Sequence, residues 1–407
     1  MVDYTKIKNV HDLIQVVCDG KGEFLEIHNL RAFAPVLLNR DGNGEAKKAE
    51  IGGAVRTIVS SQCRKAAIRK NALNCRSERT RRAPERIAYF MKEEHPELTD
   101  EYLEAVMDTV CKILGEDKKK VKYHMTSTVV TVGIEDIKRF AEAIIDEFGT
   151  ETLPTATSEL TNKLETLVEC CKIDYDVCLF GRMSTNQVVS TVDSASFFGF
   201  SFGVNENAGD VDSFIAQDTF DDQCALFGAD LKKELGHGAA HMNDRDINAD
   251  TFYEYCGFSI PAYIENAMYG VDFNDTELVK ERLRKAFEYL FEVLKLCVVQ
   301  VPTAMQHQMC SASKPVSYIT LTQDAQNVTY GDAFERKVVA TEEKSIMDVA
   351  VDRFVEDVND DTFFYGTYIK KYWLSKKYEN HIEGAENITL ISMLDDLKDY
   401  FYGKAGI

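Results

Sequence analysis

The sequence lacks the features that define several classes of protein. It has no apolar run near the ~18 residues that a membrane span needs, and its first twenty residues mix charged with apolar side chains rather than following the layout of a secretion signal. Its eleven cysteines are scattered and include no CxxC pair, so neither a disulfide framework nor a zinc site is indicated. We therefore expect a cytoplasmic protein with reduced thiols.

Familiar catalytic motifs are also missing. There is no Walker loop, nucleophile elbow or zinc-protease motif. The segment HGAAH (237–241) spaces two histidines for one helix face but offers no third ligand. The segment DGNGEA (41–46) begins like a calcium loop, but Ala46 stands where the turn needs glycine and Gly52 where a glutamate must close the site. We expect no catalytic residue, no metal and no cofactor.

Positive charge is scarce overall but concentrated in one segment. The 407 residues carry 67 acidic and 47 basic side chains, a formal net charge of -20, which repels nucleic acid and anionic membranes. Between Val55 and Lys92, however, eleven Lys or Arg accompany only two acids, Glu78 and Glu85. Composition alone leaves two interpretations open: a bounded site for a polyanion, or a solvated basic helix face.

The segment LLNRDGNGEAKKAEIGGAVRTIVSSQCRKAAIRK (37–70) opens this basic region. Four glycines between 41 and 53 indicate a loop, residues 55–59 a short strand, and Ser60 or Ser61 the N-cap of a helix. The first turn of a helix presents unpaired N–H groups to an anion.

The rest of the chain predicts an α+β fold with two insertions. Helical periodicity fills 84–172, with one helix capped by Thr99 and ended by Gly115, and an extended excursion fills 203–250. The predicted core strands are 23–33, 175–181, 251–260 and 316–323, and a long helix is predicted over 275–299.

Six motifs occur in an order and spacing that resembles one family. They are EIHNLRAFAPVLLNRD, the glycine pair at 52 and 53, SSQ at 60–62 with Lys65 and Arg69, FGRMS at 180–184, AHM at 240–242 followed by FYEY, and VPTAMQ at 301–306. The chain resembles the CasC family, the backbone subunit of the type I-E CRISPR complex Cascade. The likeness covers about 23–325, and the motifs place no counterpart for the first 22 residues or the acidic region beyond about 340.

The resemblance implies a hand-shaped, non-catalytic protein. It predicts an RNA-recognition-motif-like (ferredoxin-like) palm, helical fingers and a thumb hairpin. The corresponding boundaries are palm 1–83, 173–202 and 251–340, fingers 84–172, thumb 203–250, and a C-terminal helical region 341–407. Several copies would polymerise along one CRISPR RNA (crRNA), displace bases periodically and present the guide to target DNA. Further partners would be the large subunit, the small subunits and the crRNA end-capping subunits, with no membrane.

The resemblance and the helix-start argument together predict the RNA contacts. A protein that holds any guide sequence should contact phosphate and sugar rather than base edges. The predicted RNA-binding residues are Arg40, Lys47, Lys48, Arg56, Ser60, Ser61, Gln62, Lys65, Arg69, Arg182 and Gln306. Helical spacing places Gln62, Lys65 and Arg69 on one side, and we expect Lys65 and Arg69 to face solvent. The alternative is a capped surface helix with solvated lysines.

The predicted base-displacing residues are Met183, Phe214 and Met242. Apolar side chains can insert between bases because unstacking costs only a few kcal/mol. Against this, methionines are more often ordinary core residues. An enzymatic alternative is a type III-like backbone subunit that cleaves target RNA through Asp41 and a divalent metal, and a plain protein scaffold leaves the basic cluster unexplained.

Overall fold

The computed structural model describes residues 2–20, 22–73, 77–117, 123–217, 239–302, 304, 306–323, 328–365 and 368–407. The described residues form a mixed α+β architecture, as predicted. Among the described helices, none is both long and apolar enough to cross a membrane.

A nine-stranded sheet forms the centre of the described part of the chain. The thirteen described strands are β1 Phe24–Ala32, β2 Lys48–Ile51, β3 Ala54–Val59, β4 Glu78–Thr80, β5 Val130–Val132, β6 Ser196–Phe198, β7 Ser201–Gly203, β8 Asp210–Gln217, β9 Ala239–Ile247, β10 Thr251–Ser259, β11 Val316–Thr322, β12 Tyr368–Leu374 and β13 Glu386–Asn387. The main sheet runs β13-β12-β11-β1-β10-β7-β3-β2, and β6 also pairs with β10. Its pairs are antiparallel except β12 with β13.

Twelve α-helices are described around the strands. They are α1 Val10–Val17, α2 Ser61–Asn71, α3 Ala83–Glu94, α4 Asp100–Leu114, α5 Ile134–Phe148, α6 Ser158–Val168, α7 Tyr175–Phe180, α8 Ile260–Ala267, α9 Thr276–Val299, α10 Gln306–Met309, α11 Ile346–Tyr365 and α12 Leu390–Ala405.

The strands β1 and β10 form the centre of the sheet because both are apolar enough to be covered on two faces. Eight of the nine residues of each are buried, and they pair along their whole length, from Phe24 with Ser259 to Ala32 with Thr251. The predicted strands at 23–33, 251–260 and 316–323 are confirmed, and so is the long helix. It begins after Asp275, whose side chain accepts a hydrogen bond from the main-chain N–H of Leu278.

The strand predicted at 175–181 is wrong, because this segment is the helix α7. All six of its residues are buried, and Gly181 ends it at a φ of 75°. A short apolar run does not distinguish a buried helix from a buried strand, and no polar position within YDVCLF reveals a helical period. The informative residue is Gly181, because a glycine often ends a helix.

The helical insertion has an apolar cluster of its own, in which α3, α4, α5 and α6 contribute Ile87, Val106, Phe140 and Leu160. The predicted start of α4 is confirmed, because the Thr99 hydroxyl accepts from the main-chain N–H of Tyr102. Among the described strands, β5 pairs with β4 alone, in a separate two-stranded sheet.

The predicted excursion over 203–250 contains a second two-stranded sheet, made by β8 and β9. The pairing runs from Asp210 with Ile247 to Gln217 with Ala239. Residues 218–238, which include the first two residues of HGAAH, lie outside the described part of the chain.

The region beyond 340 is not only helical, contrary to expectation. It contributes β12 and β13 to the edge of the main sheet, where Trp373 is fully buried. The N-terminal segment packs on the same core, since the Tyr4 hydroxyl donates to the main-chain oxygen of Ala405 at 2.8 Å. The two ends of the sequence therefore belong to one body with the central sheet.

Candidate nucleic-acid interface

The start of α2 is built as the sequence predicted. Ser60 has extended backbone and its hydroxyl accepts from the main-chain N–H of Cys63 at 3.3 Å, so it is the N-cap. Its own N–H donates to the Asn39 side chain at 3.0 Å. Ser60 is buried, whereas Ser61 is half-buried and Gln62 exposed, which leaves the latter two at the accessible first turn.

A groove of about 680 Å³ opens beside α2. One wall is the face of α2, and the other is the short β4–β5 ribbon. The end of α7 closes the groove, and the lining residues include Gln62, Lys65, Arg69, Lys70, Arg79, Val129, Thr131 and Met183. The prediction that Gln62, Lys65 and Arg69 share one side of the helix is confirmed.

Lys65 and Arg69 are less exposed than expected. The ammonium group of Lys65 lies 5.2 Å from the ring centre of Phe198, and burial, with the nearby Arg69 charge, lowers the pKa of Lys65. The expectation of a solvent-facing Arg69 is wrong, because only 16% of its side chain is exposed and its guanidinium forms a 3.0 Å ion pair with Asp176. The same nitrogen, Nη2, donates to the Ser77 hydroxyl at 2.6 Å.

Arg56 and Arg182 are buried and hold the fold together. Arg56 donates to the main-chain oxygens of Phe334 at 2.6 Å and Glu335 at 2.8 Å. Arg182 donates to the Asp136 carboxylate at 2.5 Å and to the main-chain oxygen of Ser190 at 2.8 Å. The burial of a single arginine is not predictable from its sequence position. Arg182 still lines the α2 groove, whereas Arg56 does not.

The loop before β3 keeps its cations near the surface. Arg40 is exposed, Lys47 lies 5.6 Å from the ring centre of Phe200, and Lys48 pairs with Asp246 of the hairpin strand β9 at 3.4 Å. Asp41 structures the loop, because its Oδ1 accepts from the main-chain N–H groups of Asn43 at 2.8 Å and Glu45 at 3.0 Å.

The glycine pair serves the β2–β3 turn. Gly52 has a φ of +59°, and a Cβ there would lie 1.6 Å from the main-chain oxygen of Glu335. Gly53 has a φ of +73° and open space around it. Close packing therefore explains the first glycine and backbone conformation the second.

The predicted base-displacing residues differ in their surroundings. Met183 is 92% exposed and lies at the mouth of the groove. Phe214 lies under the Arg245 guanidinium, 4.4 Å from the ring centre. The main chain of Met242 pairs with Ile215 in the hairpin, but its side chain lies outside the described residues. Gln306 begins α10 and is not among the residues that line the groove. Its Nε2 is enclosed and finds no hydrogen-bond partner among the described residues.

Sequence reasoning did not assign Arg79 and Val129 to the site. Arg79 is exposed, and among the described residues its guanidinium has neither an ion-pair partner nor a hydrogen-bond acceptor. Val129 is 56% exposed. In the sequence Arg79 is only one member of the basic cluster. Its strand β4 has three residues, which is too short for an alternation of apolar and polar side chains that would predict its pairing with β5.

A buried cluster of charged side chains lies beneath the groove. Asp136 accepts from Arg139 and Arg182, and Asp176 accepts from Arg69. Asp174 accepts from the main-chain N–H groups of Ile134 and Glu135, at 3.2 Å each, at the start of α5. Burial first, and then the charges of Asp136 and Asp176, raise the pKa of Asp174 to about 7.

This pKa predicts a pH dependence of stability. Between about pH 4 and pH 7 the unfolded chain releases the Asp174 proton while the folded chain retains it, so rising pH favours unfolding. The comparison is with Asp174→Asn, which keeps an acceptor oxygen. As pH rises, the free energy of unfolding of the wild type should fall relative to that of Asp174→Asn by up to about 1.4 kcal/mol per pH unit. Urea unfolding from pH 4.5 to 8 measures it. Asp395→Asn, at an exposed site on α12, is the control, and parallel curves for wild type and Asp174→Asn would contradict the prediction.

A family model described as CT1975-like protein, a Cas family, matches residues 25–400, so the match includes the region beyond 340 for which the motifs gave no counterpart. A search of curated proteins finds no match.

Two solved structures share the fold over nearly the whole chain. A chain of a "CRISPR RNA-guided surveillance complex, pre-nicking" has a TM-score of 0.71 at 21% identity, covering 92% of this chain and 98% of that chain. A chain of a "CRISPR RNA-guided surveillance complex" has a TM-score of 0.63 at 18% identity, with the same coverages of 92% and 98%. At these identities the likeness establishes a common fold.

Proposed function

The chain belongs to the CT1975-like protein family, and on this basis we propose that it is the non-catalytic backbone subunit of a type I-E Cascade complex. Copies of it bind one crRNA through phosphate and sugar and present the guide bases to target DNA. The large, small and end-capping subunits are its further partners. In this proposal the main sheet with its flanking helices is the RNA-recognition-motif-like palm, the helical insertion the fingers, and the β8–β9 hairpin the thumb.

The observation that carries the proposal is the groove beside α2. It combines cations on two walls, Lys65 and Arg79, with the strongly exposed Met183 at its mouth. Cations that follow the phosphate backbone are one component of sequence-independent binding to single strands, and an exposed apolar side chain can insert between bases. A solvated basic face, the alternative from sequence, does not explain a concave site between two elements.

Arg69 keeps donors for a phosphate despite its ion pair. Its Nη2 is used by Asp176 and Ser77, which fixes the plane of the guanidinium, while Nη1 has no acceptor among the described residues. A guanidinium held in one orientation loses less side-chain entropy when a phosphate binds. Charge reversal here would also place a second carboxylate beside the buried Asp176, so Arg69→Glu is expected to unfold the site rather than test it.

The first test removes one cation from each wall. Lys65→Gln and Arg79→Gln should each lower the log–log salt slope of RNA binding by about 0.7, the value for one phosphate contact on a single strand. Fluorescence titrations of single-stranded RNA at several salt concentrations measure the slope, with circular dichroism to confirm folding. Lys398→Gln, on an exposed part of α12, is the matched control. Unchanged slopes in both folded variants would mean that this groove is not the RNA site.

A second test concerns base displacement by Met183. Because this side chain is 92% exposed, Met183→Ala should change the free energy of unfolding by no more than about 0.5 kcal/mol. It should weaken the periodic reactivity of guide bases to single-strand-specific chemical probes, with little change in salt dependence. Leu73→Ala, which removes a side chain that is 89% exposed outside the groove lining, is the control. An unaltered reactivity pattern would remove Met183 from the mechanism.

A third test separates this function from target-RNA cleavage through Asp41. Because Asp41 holds two loop N–H groups, we expect no cut in complementary RNA when the assembled complex is incubated with Mg²⁺. Asp41→Asn, which keeps an acceptor oxygen, and Asp41→Ala should then both behave like the wild type on a sequencing gel. Regularly spaced cuts that Asp41→Ala abolishes would establish the enzymatic alternative instead.

A further inference from the structure

A second groove, of about 1220 Å³, lies at the far end of the main sheet. The end of α9, the start of β11, the end of β12 and the segment before α12 surround it. Its apolar floor is made by Val298, Val299, Val316, Leu374, Ile388 and Leu390. Val299 is 46% exposed, although it lies at the end of a long core helix. Exposed apolar recesses of this kind mark contacts with other molecules.

The rim of this groove is basic in a molecule that is strongly acidic. Lys314 and Lys376 line it and are exposed, and neither forms an ion pair within the described part of the chain. Glu379 is the one acidic residue of the described lining, and its carboxylate lies 3.7 Å from Nε2 of His381. The formal net charge of the whole chain is -20. Two unneutralised lysines above an apolar floor select a ligand that has an apolar side chain flanked by carboxylates.

Nucleic acid fits this groove less well than a peptide does. Single strands bind to cations together with an open aromatic face, or with an apolar side chain that projects far enough to insert between bases, as proposed for Met183 at the α2 groove. The one aromatic residue of the described lining is Tyr378, and the Lys377 ammonium lies 4.7 Å from its ring centre and bonds to its hydroxyl. An occupied ring face and an aliphatic floor favour a protein segment.

The turn between α5 and α6 has the required chemistry. Leu153 is 43% exposed. Glu147, in the last turn of α5, and Glu151, in the α5–α6 turn, are also exposed and form no ion pair among the described residues. The turn is fixed in place, because Tyr102 donates to the main-chain oxygen of Gly149 at 2.7 Å and Thr109 to that of Pro154 at 3.0 Å. A preformed segment loses little entropy on docking.

We propose that the groove rimmed by Lys314 and Lys376 receives the α5–α6 turn of a second copy of this chain, with Leu153 on the apolar floor and Glu147 and Glu151 at the lysines. The proposal deepens the proposed function, on which it rests, by naming the contact between neighbouring copies. The turn belongs to the helical insertion, which has a separate apolar cluster, and the groove to the main sheet. A contact between two different surfaces repeats head to tail and forms an open chain of copies.

Charge reversal at each surface tests the contact. The groove variant is Lys314→Glu with Lys376→Glu, and the turn variant is Glu147→Lys with Glu151→Lys. Each should bind a short RNA that holds one copy as the wild type does, and should lose cooperative loading on a long RNA by about tenfold or more, because like charges then face each other. A chain with all four changes should recover cooperative loading. Sedimentation velocity measures loading, and the same proteins sedimented without RNA at rising concentration test the contact directly.

The outcomes separate this contact from the RNA-binding function. If the wild type does not bind the short RNA, the proposed function is wrong. Sedimentation without RNA then still tests whether two copies make the contact. Normal assembly by either reversed variant would overturn the proposal, since the groove and the turn must both matter. Failure of the fourfold variant to recover would also overturn it, because the two surfaces would then bind different partners. Wild type that remains monomeric both on long RNA and without it would have the same consequence.

Discussion

The placement of the α2 groove depends on the buried pairing of carboxylates with guanidinium groups beneath it. Asp176 lies on α7 and holds Arg69 of α2, while Asp136 of α5 holds Arg182 just after α7. These contacts join the helical insertion to the elements that flank the main sheet. A buried pair of this kind adds little net stability, but removal of one partner leaves an uncompensated charge that costs about 3–5 kcal/mol. The cluster therefore fixes one relative position of the groove walls more than it stabilises the fold.

Burial divides the basic residues of the chain into two groups. Within the basic segment 55–92, Arg56 and Arg64 are enclosed and donate to main-chain oxygens, whereas Lys65 and Arg79 reach the groove. A guanidinium has five donors in one plane and can satisfy several carbonyls at once, which suits it to buried positions. Part of the basic cluster thus belongs to the protein's own packing, and the accessible part lines a small candidate site. Such a site is compatible with a strongly negative molecule because its contacts act at short range, within the screening length of salt.

The sequence predicted best where one local interaction decides the structure. The Ser60 and Thr99 caps, the long helix α9 and the two central strands follow from side-chain type and apolar spacing within a few residues. It predicts poorly where distant contacts decide the structure. The apolar run of α7 indicates a strand rather than a helix. Helical spacing indicates a solvent-facing Arg69, because its partner Asp176 is 107 residues away along the chain. Arg79 is not predictable as a site residue, because its strand β4 pairs with β5 and the helices α3 and α4 lie between the two strands in the sequence. In the candidate site, residue types were predictable and their burial was not.

The acidic surface and the basic α2 groove are compatible with assembly on a linear polyanion. Copies with a net charge of -20 repel one another in solution, so association requires a local attractive contact between them. A head-to-tail contact does not close on itself, and surface ion pairs contribute only about 0.2–1 kcal/mol each. In the proposed assembly a shared strand raises the effective concentration of two bound copies, so the contact forms there at lower protein concentration than it does without RNA. The length of the bound strand, rather than the protein surface, would then determine how many copies assemble.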